Sequence, residues 1–98
     1  MFARLTKFQV KINDIEEGIK LYRESVVPEA KSQKGYCKAY LLIDRETGKG
    51  VSITLWDCED DAVSNEKNRY YQEQLIKFLS LLTSPSFIRE GYEVVVED

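Results

Sequence analysis

The chain has 98 residues, of which 43% are hydrophobic and 32% charged, and its net charge is −3. This length fits one domain over residues 1–98, with enough apolar residues for a core. The acidic balance disfavours binding to nucleic acid or to an anionic membrane. No apolar run reaches the length of a membrane span and no signal peptide is evident, so we expect a soluble, cytoplasmic protein.

The first part of the chain predicts a strand followed by a helix. Apolar and polar residues alternate toward the end of 2–12, which is typical of a strand. Asn13 or Asp14 is a candidate helix cap, because a glutamate stands three residues after each. The helix that follows has one apolar stripe with helical spacing, formed by Ile15, Ile19, Tyr22 and Val26. Pro28 predicts a kink or break near Val27, with a short continuation through Ala30.

Two strands joined by a tight turn form the middle of the chain. Gly35 is a candidate left-handed helix cap, and strands are predicted over 36–44 and 51–57. Gly48 lies in the connecting segment, where a hairpin needs a residue that tolerates a positive φ. A two-residue turn would pair Lys38 with Asp57, Ala39 with Trp56, and Cys37 with Cys58, and a three-residue turn with a bulge would shift this register by one.

The last part of the chain predicts a second helical region and a final strand. The acidic residues of 59–61 suit a helix start, and the polar stretch 64–68 predicts a possible break. Beyond it comes a second stripe with helical spacing, formed by Tyr71, Leu75, Phe78 and Leu82. A loop is predicted over 83–86 and the last strand over 92–97.

The order β-α-β-β-α-β predicts an α+β, ferredoxin-like domain: an antiparallel sheet with both helices on one face. The other face of such a sheet is polar when it meets water. In the second predicted strand, however, Tyr40 and Leu42 alternate with Leu41 and Ile43. In the third, Ile53 and Leu55 lie on the face opposite to that of Trp56. Both faces of the sheet therefore carry apolar side chains. We therefore expect the free face to be covered by a second copy, in a homodimer.

Several segments resemble the antibiotic biosynthesis monooxygenase-like family of the dimeric α+β barrel superfamily. They are Pro28-Glu29-Ala30 through Gly35-Tyr36, Tyr40-Leu41-Leu42-Ile43-Asp44, Val51-Ser52-Ile53-Thr54-Leu55-Trp56-Asp57 and Tyr92-Glu93-Val94. The resemblance covers nearly the whole chain. It implies two ferredoxin-like monomers whose sheets face each other in a barrel, and a ligand cavity between sheet and helices in each. Some members oxidise phenolic polyketides without metal or flavin, and related members degrade haem.

Cofactor-independent oxygenation of a small phenolic compound needs an aromatic pocket and a group that stabilises an anion. The candidate catalytic residues are Trp56 as a wall, Tyr71 as a hydrogen-bonding wall, Asn68 as a polar anchor and Arg69 as an anion stabiliser. Tyr70 and Asn65 are further candidates of the same types. Each also has a structural interpretation, because a strand Trp or a stripe Tyr commonly belongs to a core. No cofactor is predicted.

Haem degradation does not fit. Haem-degrading relatives use a histidine and a tryptophan of the second helix and an asparagine of the first strand. This chain has no histidine, its single tryptophan lies on a predicted strand, and the segment 2–12 has no asparagine.

Four other interpretations of the sequence were compared with its residues, and one of them stays open as an alternative. The acidic residues around 57–61 lack the spacing of a calcium loop, so no metal site is predicted. Lys49-Gly50 opens like an RNA-recognition motif, but Val51 and Ile53 stand where stacking rings are needed. Structural or unpaired roles suit the two cysteines better than redox work. The main alternative to an enzyme is a non-catalytic dimeric module that binds a small apolar or aromatic ligand, or serves in assembly.

Overall fold

The computed structural model describes residues 1–84 and 86–98, with the side chain of Tyr70 left out. Four strands and four α-helical segments follow one another along the chain. They are β1 (Phe2–Gln9), α1 (Ile15–Leu21), α2 (Val27–Lys31), β2 (Tyr36–Ile43), β3 (Lys49–Trp56), α3 (Glu59–Glu66), α4 (Arg69–Leu79) and β4 (Ile88–Glu93). The four-stranded antiparallel sheet has the order β2-β3-β1-β4. This is the predicted ferredoxin-like architecture.

The register of the sheet places three polar residues side by side across its centre. Thr6 of the central strand β1 lies opposite Ser52 of β3 on one side and opposite Arg89 of β4 on the other. Because side chains alternate along a strand, these three residues share one face. That face is the one covered by the helices.

The hairpin between β2 and β3 corrects the predicted register. Ala39 lies opposite Thr54 rather than Trp56, and Lys38 lies opposite Leu55 rather than Asp57. The connection is longer than predicted, because Asp44 still pairs with Lys49 through a 2.8 Å N–H···O bond. Partners therefore move by two positions, which keeps the side chains of residues 38–43 on their predicted faces.

The same correction separates the two thiols. Cys37 falls at an irregularity of the β2–β3 ladder, between Tyr36 and Lys38, and does not lie opposite Cys58. Both cysteines are free, and the Cys37 thiol contacts a carboxylate oxygen of Asp57 at 3.2 Å.

Gly48 has a φ of 82°, as the turn was predicted to require. A Cβ at this position would lie 2.2 Å from the carbonyl oxygen of Val10, so no other residue fits the turn without displacing β1's end.

The first helical region changes its winding near Val27, where a kink or break was predicted, and then continues past Ala30. A π-helical turn over Tyr22–Val26 connects α1 to α2, with Pro28 in the first turn of α2. Proline lacks the N–H of a regular α-helix, and the wider turn just before it absorbs this defect. Asp14, one of the two predicted caps, is the N-cap residue of α1, but its side chain makes no capping bond, and a 3₁₀ turn over Ile12–Asp14 leads into the helix.

The last strand lies earlier than predicted. It spans Ile88–Glu93 rather than 92–97, and beyond it the Val94 N–H still bonds the Met1 carbonyl oxygen at 3.0 Å. Val95 and Val96 are exposed, at 78% and 82%. The apolar run 94–96 resembles a strand in isolation, but the residue pairs with β1 run from Ile88 to Glu93, and only the Val94 N–H continues them.

Both predicted helical stripes face the sheet, and the break within 64–68 separates α3 from α4. The tightest packing is at one end of the layer, where Val10, Ile15 and Leu82 form a buried cluster. None of the helices in the described part of the chain is long and apolar enough to span a membrane. Closer to the middle of the layer, the sheet and helices leave a space between them.

Candidate functional site

A cavity of about 110 Å³ lies between the centre of the sheet and the helices. Its walls are largely apolar and aromatic: Phe8, Val26, Trp56, Leu75, Phe78 and Phe87. Its polar lining comes from both layers, with Thr6, Ser52, Thr54 and Arg89 on the sheet and Tyr22, Asn65, Tyr71 and Gln74 on the helices. A hydrophobic space with a few placed polar groups is the general composition of a ligand site.

Trp56 forms one wall and is 1% exposed. Its indole N–H donates to the Thr54 hydroxyl at 2.9 Å, and the Tyr36 ring packs edge-on at a centroid distance of 6.1 Å. Because the single polar atom of the indole is already bonded, Trp56 presents an apolar surface to the cavity.

Tyr22 comes from the π-helical turn and reaches the polar floor of the cavity. Its hydroxyl lies 2.9 Å from the Ser52 hydroxyl and donates to the Tyr40 carbonyl oxygen at 3.3 Å. Burial raises the pKa of Tyr22, and the hydrogen bond with Ser52 offsets only part of that rise. The phenol therefore stays protonated near neutral pH and is a poor proton acceptor.

Two arginines and one glutamate form a cluster beside the cavity. Arg4 holds Glu66 with two bonds, from Nε to Oε1 at 2.6 Å and from Nη2 to Oε2 at 3.1 Å. Arg89 donates to the same Oε1 from Nη2 at 2.6 Å and from Nε at 3.2 Å. A further Arg89 N–H donates to the Thr6 hydroxyl. The three charged side chains are only 19–21% exposed.

The pKa of Glu66 shows the strength of this pairing. Partial burial by itself would raise that pKa, but the hydrogen bonds from Arg89 and Arg4 outweigh burial and hold it below its usual value of 4.5. Glu66 is therefore ionised at neutral pH and is a poor proton acceptor, because its lone pairs are occupied by guanidinium groups.

Tyr71 connects the charged cluster to the apolar wall. The Arg89 guanidinium lies over its ring at 4.5 Å from the centroid, within the range of a cation–π interaction. Burial raises the pKa of Tyr71, while the nearby charge of Arg89 acts in the opposite direction.

The structure brings together only some of the predicted site residues. Trp56, Tyr71 and Asn65 line the cavity. Asn68 and Arg69 do not: Asn68 is exposed and bonds Gln33, and Arg69 is 91% exposed and pairs with Glu73. They flank the start of α4 on its outer side, where a polar helix start meets water. The side chain of Tyr70 lies outside the described part of the structure.

Sequence reasoning missed Arg4, Glu66 and Arg89. Arg89 stands in a segment that was not assigned to a strand, and Glu90 and Gly91 interrupt the alternation of apolar and polar residues there. Arg4 and Glu66 are 62 positions apart, and no local pattern connects them. A charged residue predicted to point toward the covered face, as Arg4 does, is the one signal that could have pointed to a cluster.

No three His, Cys, Asp or Glu side chains within residues 1–84 and 86–98 are grouped so that they could hold a metal ion. The acidic residues at the start of α3 serve the positive end of that helix instead.

Comparison with known proteins places the fold. No family model matches the chain. Two uncharacterized proteins of Mycobacterium tuberculosis, from strains CDC 1551 / Oshkosh and H37Rv, are each 36% identical to it over 79 residues. These residues are 81% of this chain, which spans about a third (34%) of the length of either relative.

Solved structures match over nearly the whole chain. A crystal structure of an antibiotic biosynthesis monooxygenase has a TM-score of 0.77 and 15% identity, covering 98% of this chain and 100% of the other. A variant of SnoaB, a cofactor-independent oxygenase from Streptomyces nogalater, has a TM-score of 0.76 and 13% identity, with 98% and 94% covered. A conserved protein from Methanosarcina mazei Go1 has a TM-score of 0.78 and 16% identity, covering 93% of this chain and 89% of the other. This chain has the antibiotic biosynthesis monooxygenase-like fold, as its sequence predicted.

Proposed function

We propose that the protein binds a small aromatic compound in the sheet–helix cavity. The observation that carries this proposal is the cavity itself, with aromatic walls, a polar floor and a volume of about 110 Å³. An apolar cavity of about 150 Å³ can hold a benzene ring. The space is slightly smaller than this, so it suits a single small ring and is too small for a polycyclic ligand.

A second candidate function is oxygenation of a phenolic compound without a cofactor. Two observations favour it: the fold is shared with SnoaB, and Arg89 and Tyr71 stand at a largely apolar cavity. In such a reaction the phenol loses its hydroxyl proton, and a ring carbon of the phenolate adds dioxygen and takes a proton back on the terminal oxygen. The O–O bond of the resulting hydroperoxide then breaks with loss of water, which leaves one oxygen atom on carbon as a carbonyl. Arg89 would stabilise the anion that precedes oxygen addition.

Binding is better supported than this reaction, because the cavity has no ready proton acceptor among the groups described above. The pKa values of Tyr22 and Tyr71 are raised by burial, and Glu66 is engaged by two arginines. A substrate would have to ionise with the help of Arg89 alone.

The fluorescence of Trp56 reports on the cavity directly, since the chain has one tryptophan. We expect titration with phenol to change this fluorescence in a saturable way. Ser52→Leu, which adds bulk to the cavity floor, should abolish the change, whereas Val51→Leu on the opposite face of the same strand should not. Binding in the cavity would be contradicted if both variants kept the response, or if no saturable response occurred at all.

Oxygen uptake separates the two candidate functions. If the protein is an oxygenase, an oxygen electrode should record uptake with electron-rich phenols above the uncatalysed rate, and Ser52→Leu should remove the excess. Saturable binding without excess uptake would leave a binding protein and end the oxygenase proposal for those phenols.

We also propose that the free face of the sheet is covered by a second copy of the chain. This open face carries Leu5, Tyr40, Leu42, Val51, Ile53, Leu55, Ile88 and Tyr92. Leu42 and Ile88 are 50% and 61% exposed. Apolar side chains distributed over three or more strands form the kind of contiguous patch that marks a protein interface.

The oligomeric state tests this interface. Leu42→Asp and Ile53→Asp should convert a dimer to monomer or aggregate in light scattering after gel filtration. Ile76→Asp is the matched control, since Ile76 is 67% exposed on the outer helix layer and should leave the dimer intact. A stable dimer in both open-face variants would contradict the proposed interface.

A further inference from the structure

The charged cluster beside the cavity is not electrically balanced. It contains the guanidinium groups of Arg4 and Arg89 and the carboxylate of Glu66, a net charge of +1. All three side chains are about four-fifths buried. A surplus charge in a mostly buried setting is unfavourable unless an opposite charge reaches it.

Arg89 is the member of the cluster that faces the cavity. A guanidinium has five N–H donors. Three of them are used by Arg89 in the described structure, two toward Glu66 and one toward Thr6. One N–H on each terminal nitrogen is left unused by these bonds, so Arg89 has two donors for the oxygens of a carboxylate.

Glu66 and the Tyr71 ring hold the Arg89 guanidinium in place. Glu66 binds one edge of the Arg89 guanidinium and Tyr71 lies beneath its plane, at 4.5 Å. Gly91 contributes on the neighbouring strand, since a Cβ there would lie 2.7 Å from Nη1 of Arg4. The arginines are thus positioned before any ligand arrives, so little side-chain freedom is lost on binding.

We infer that the ligand of this cavity is a small aromatic acid, whose ring lies between Trp56 and Phe78 and whose carboxylate pairs with Arg89. This inference rests on the proposed binding function and narrows its ligand class. An acid that is ionised at neutral pH supplies the missing negative charge itself. A neutral phenol would need a proton acceptor, and the titratable groups at this site are poorly suited to that task.

Benzoate and benzamide test the inference, because they share shape and differ in charge. Titration of the Trp56 fluorescence of the full chain should give a benzoate affinity about tenfold or more above that of benzamide. Arg89→Gln should remove this preference. Arg69→Gln is the matched control, because it deletes the same charge from a side chain that is 91% exposed and does not line the cavity.

A variant with the opposite sign guards against misfolding. Glu66→Gln removes the competing carboxylate and raises the charge of the cluster, so benzoate should bind more tightly while benzamide is unchanged. Damage to the fold would weaken both ligands instead.

The outcomes separate this inference from the function beneath it. Equal binding of benzoate and benzamide, or an unchanged preference in Arg89→Gln, overturns the aromatic acid and leaves aromatic binding intact. If neither these two compounds nor phenol binds, the aromatic acid and the proposed function both fall.

Discussion

The two faces of the sheet differ in a way opposite to that of an isolated two-layer domain. The centre of the covered face carries Thr6, Ser52, Thr54 and Arg89, next to a cavity. The open face carries Leu5, Val51, Ile53 and Leu55 on the same central strands. The polar groups beneath the helices are hydrogen-bonded within the chain, whereas the apolar groups facing outward need a cover that the single chain does not supply. The comparison teaches that one face is suited to a small ligand and the other to a protein surface.

Trp56→Ala is expected to have the largest effect. It empties the wall of the covered face and should lower the free energy of unfolding by about 3–5 kcal/mol. Leu42→Ala on the open face should cost much less in dilute protein, because half of that side chain is exposed in the monomer. Urea unfolding followed by circular dichroism at two protein concentrations distinguishes the faces.

The loss in Trp56→Ala should be present at both concentrations, whereas that in Leu42→Ala should grow with concentration, because it acts through association. The reverse pattern would contradict the roles given to the two faces.

Thr54→Val is expected to have an intermediate effect. Its hydroxyl accepts the indole N–H of Trp56 at 2.9 Å, and the substitution leaves that buried donor without its acceptor. We expect a loss of about 1–3 kcal/mol in the free energy of unfolding. Thr83→Val, at an exposed threonine, is the control with little expected change. A more stable Thr54→Val protein would indicate that the covered face does not need its polar groups.

The pH dependence of stability should show the smallest effect, about 1 kcal/mol, because a fifth of each side chain of the cluster still meets water. The pKa of folded Glu66 lies below its usual 4.5, so its ion pairs stabilise the fold above about pH 4.5. That contribution disappears as the pH falls through the lower, folded-state pKa. Thermal unfolding from pH 7 to pH 3 should therefore bring the native protein and Glu66→Gln together at the acidic end.

Glu73→Gln serves as the control for this measurement, because Glu73 is 58% exposed in its pair with Arg69 and should change stability little at any pH. A gap between the native protein and Glu66→Gln that stays constant down to pH 3 would mean that the cluster does not act through the charge of Glu66.

Two kinds of error in the sequence analysis, in strand register and in strand extent, had different consequences. The hairpin register was wrong by two positions, yet Ala39, Leu41 and Ile43 still lie on the covered face. The last strand was placed four residues late, and this error hid Arg89 among residues not assigned to any element. Errors in register are harmless when they preserve alternation, whereas errors in extent remove a residue from its face altogether.

The candidate site shows the same limit. Trp56 and Tyr71 were found because each belongs to a local pattern, a strand end and a helical stripe. Asn68 and Arg69 were chosen for residue type near that stripe, and the helix start turns them outward. Tyr22, predicted only as part of an apolar stripe, contributes its hydroxyl to the cavity floor.

The sequence by itself determined the order of the elements, the faces of the strands and the ferredoxin-like fold, because periodicity and turn residues act over a few neighbouring positions. Only the tertiary structure decided that Arg4, Glu66 and Arg89 meet, across separations of 62 and 23 residues. In the sequence, these three charged residues cannot be distinguished from ordinary surface residues. Folding brings them together, and their burial then makes the pairing of their charges matter for stability. Tertiary structure alone therefore decided the cavity, the charged cluster beside it and the ligand class that the two imply.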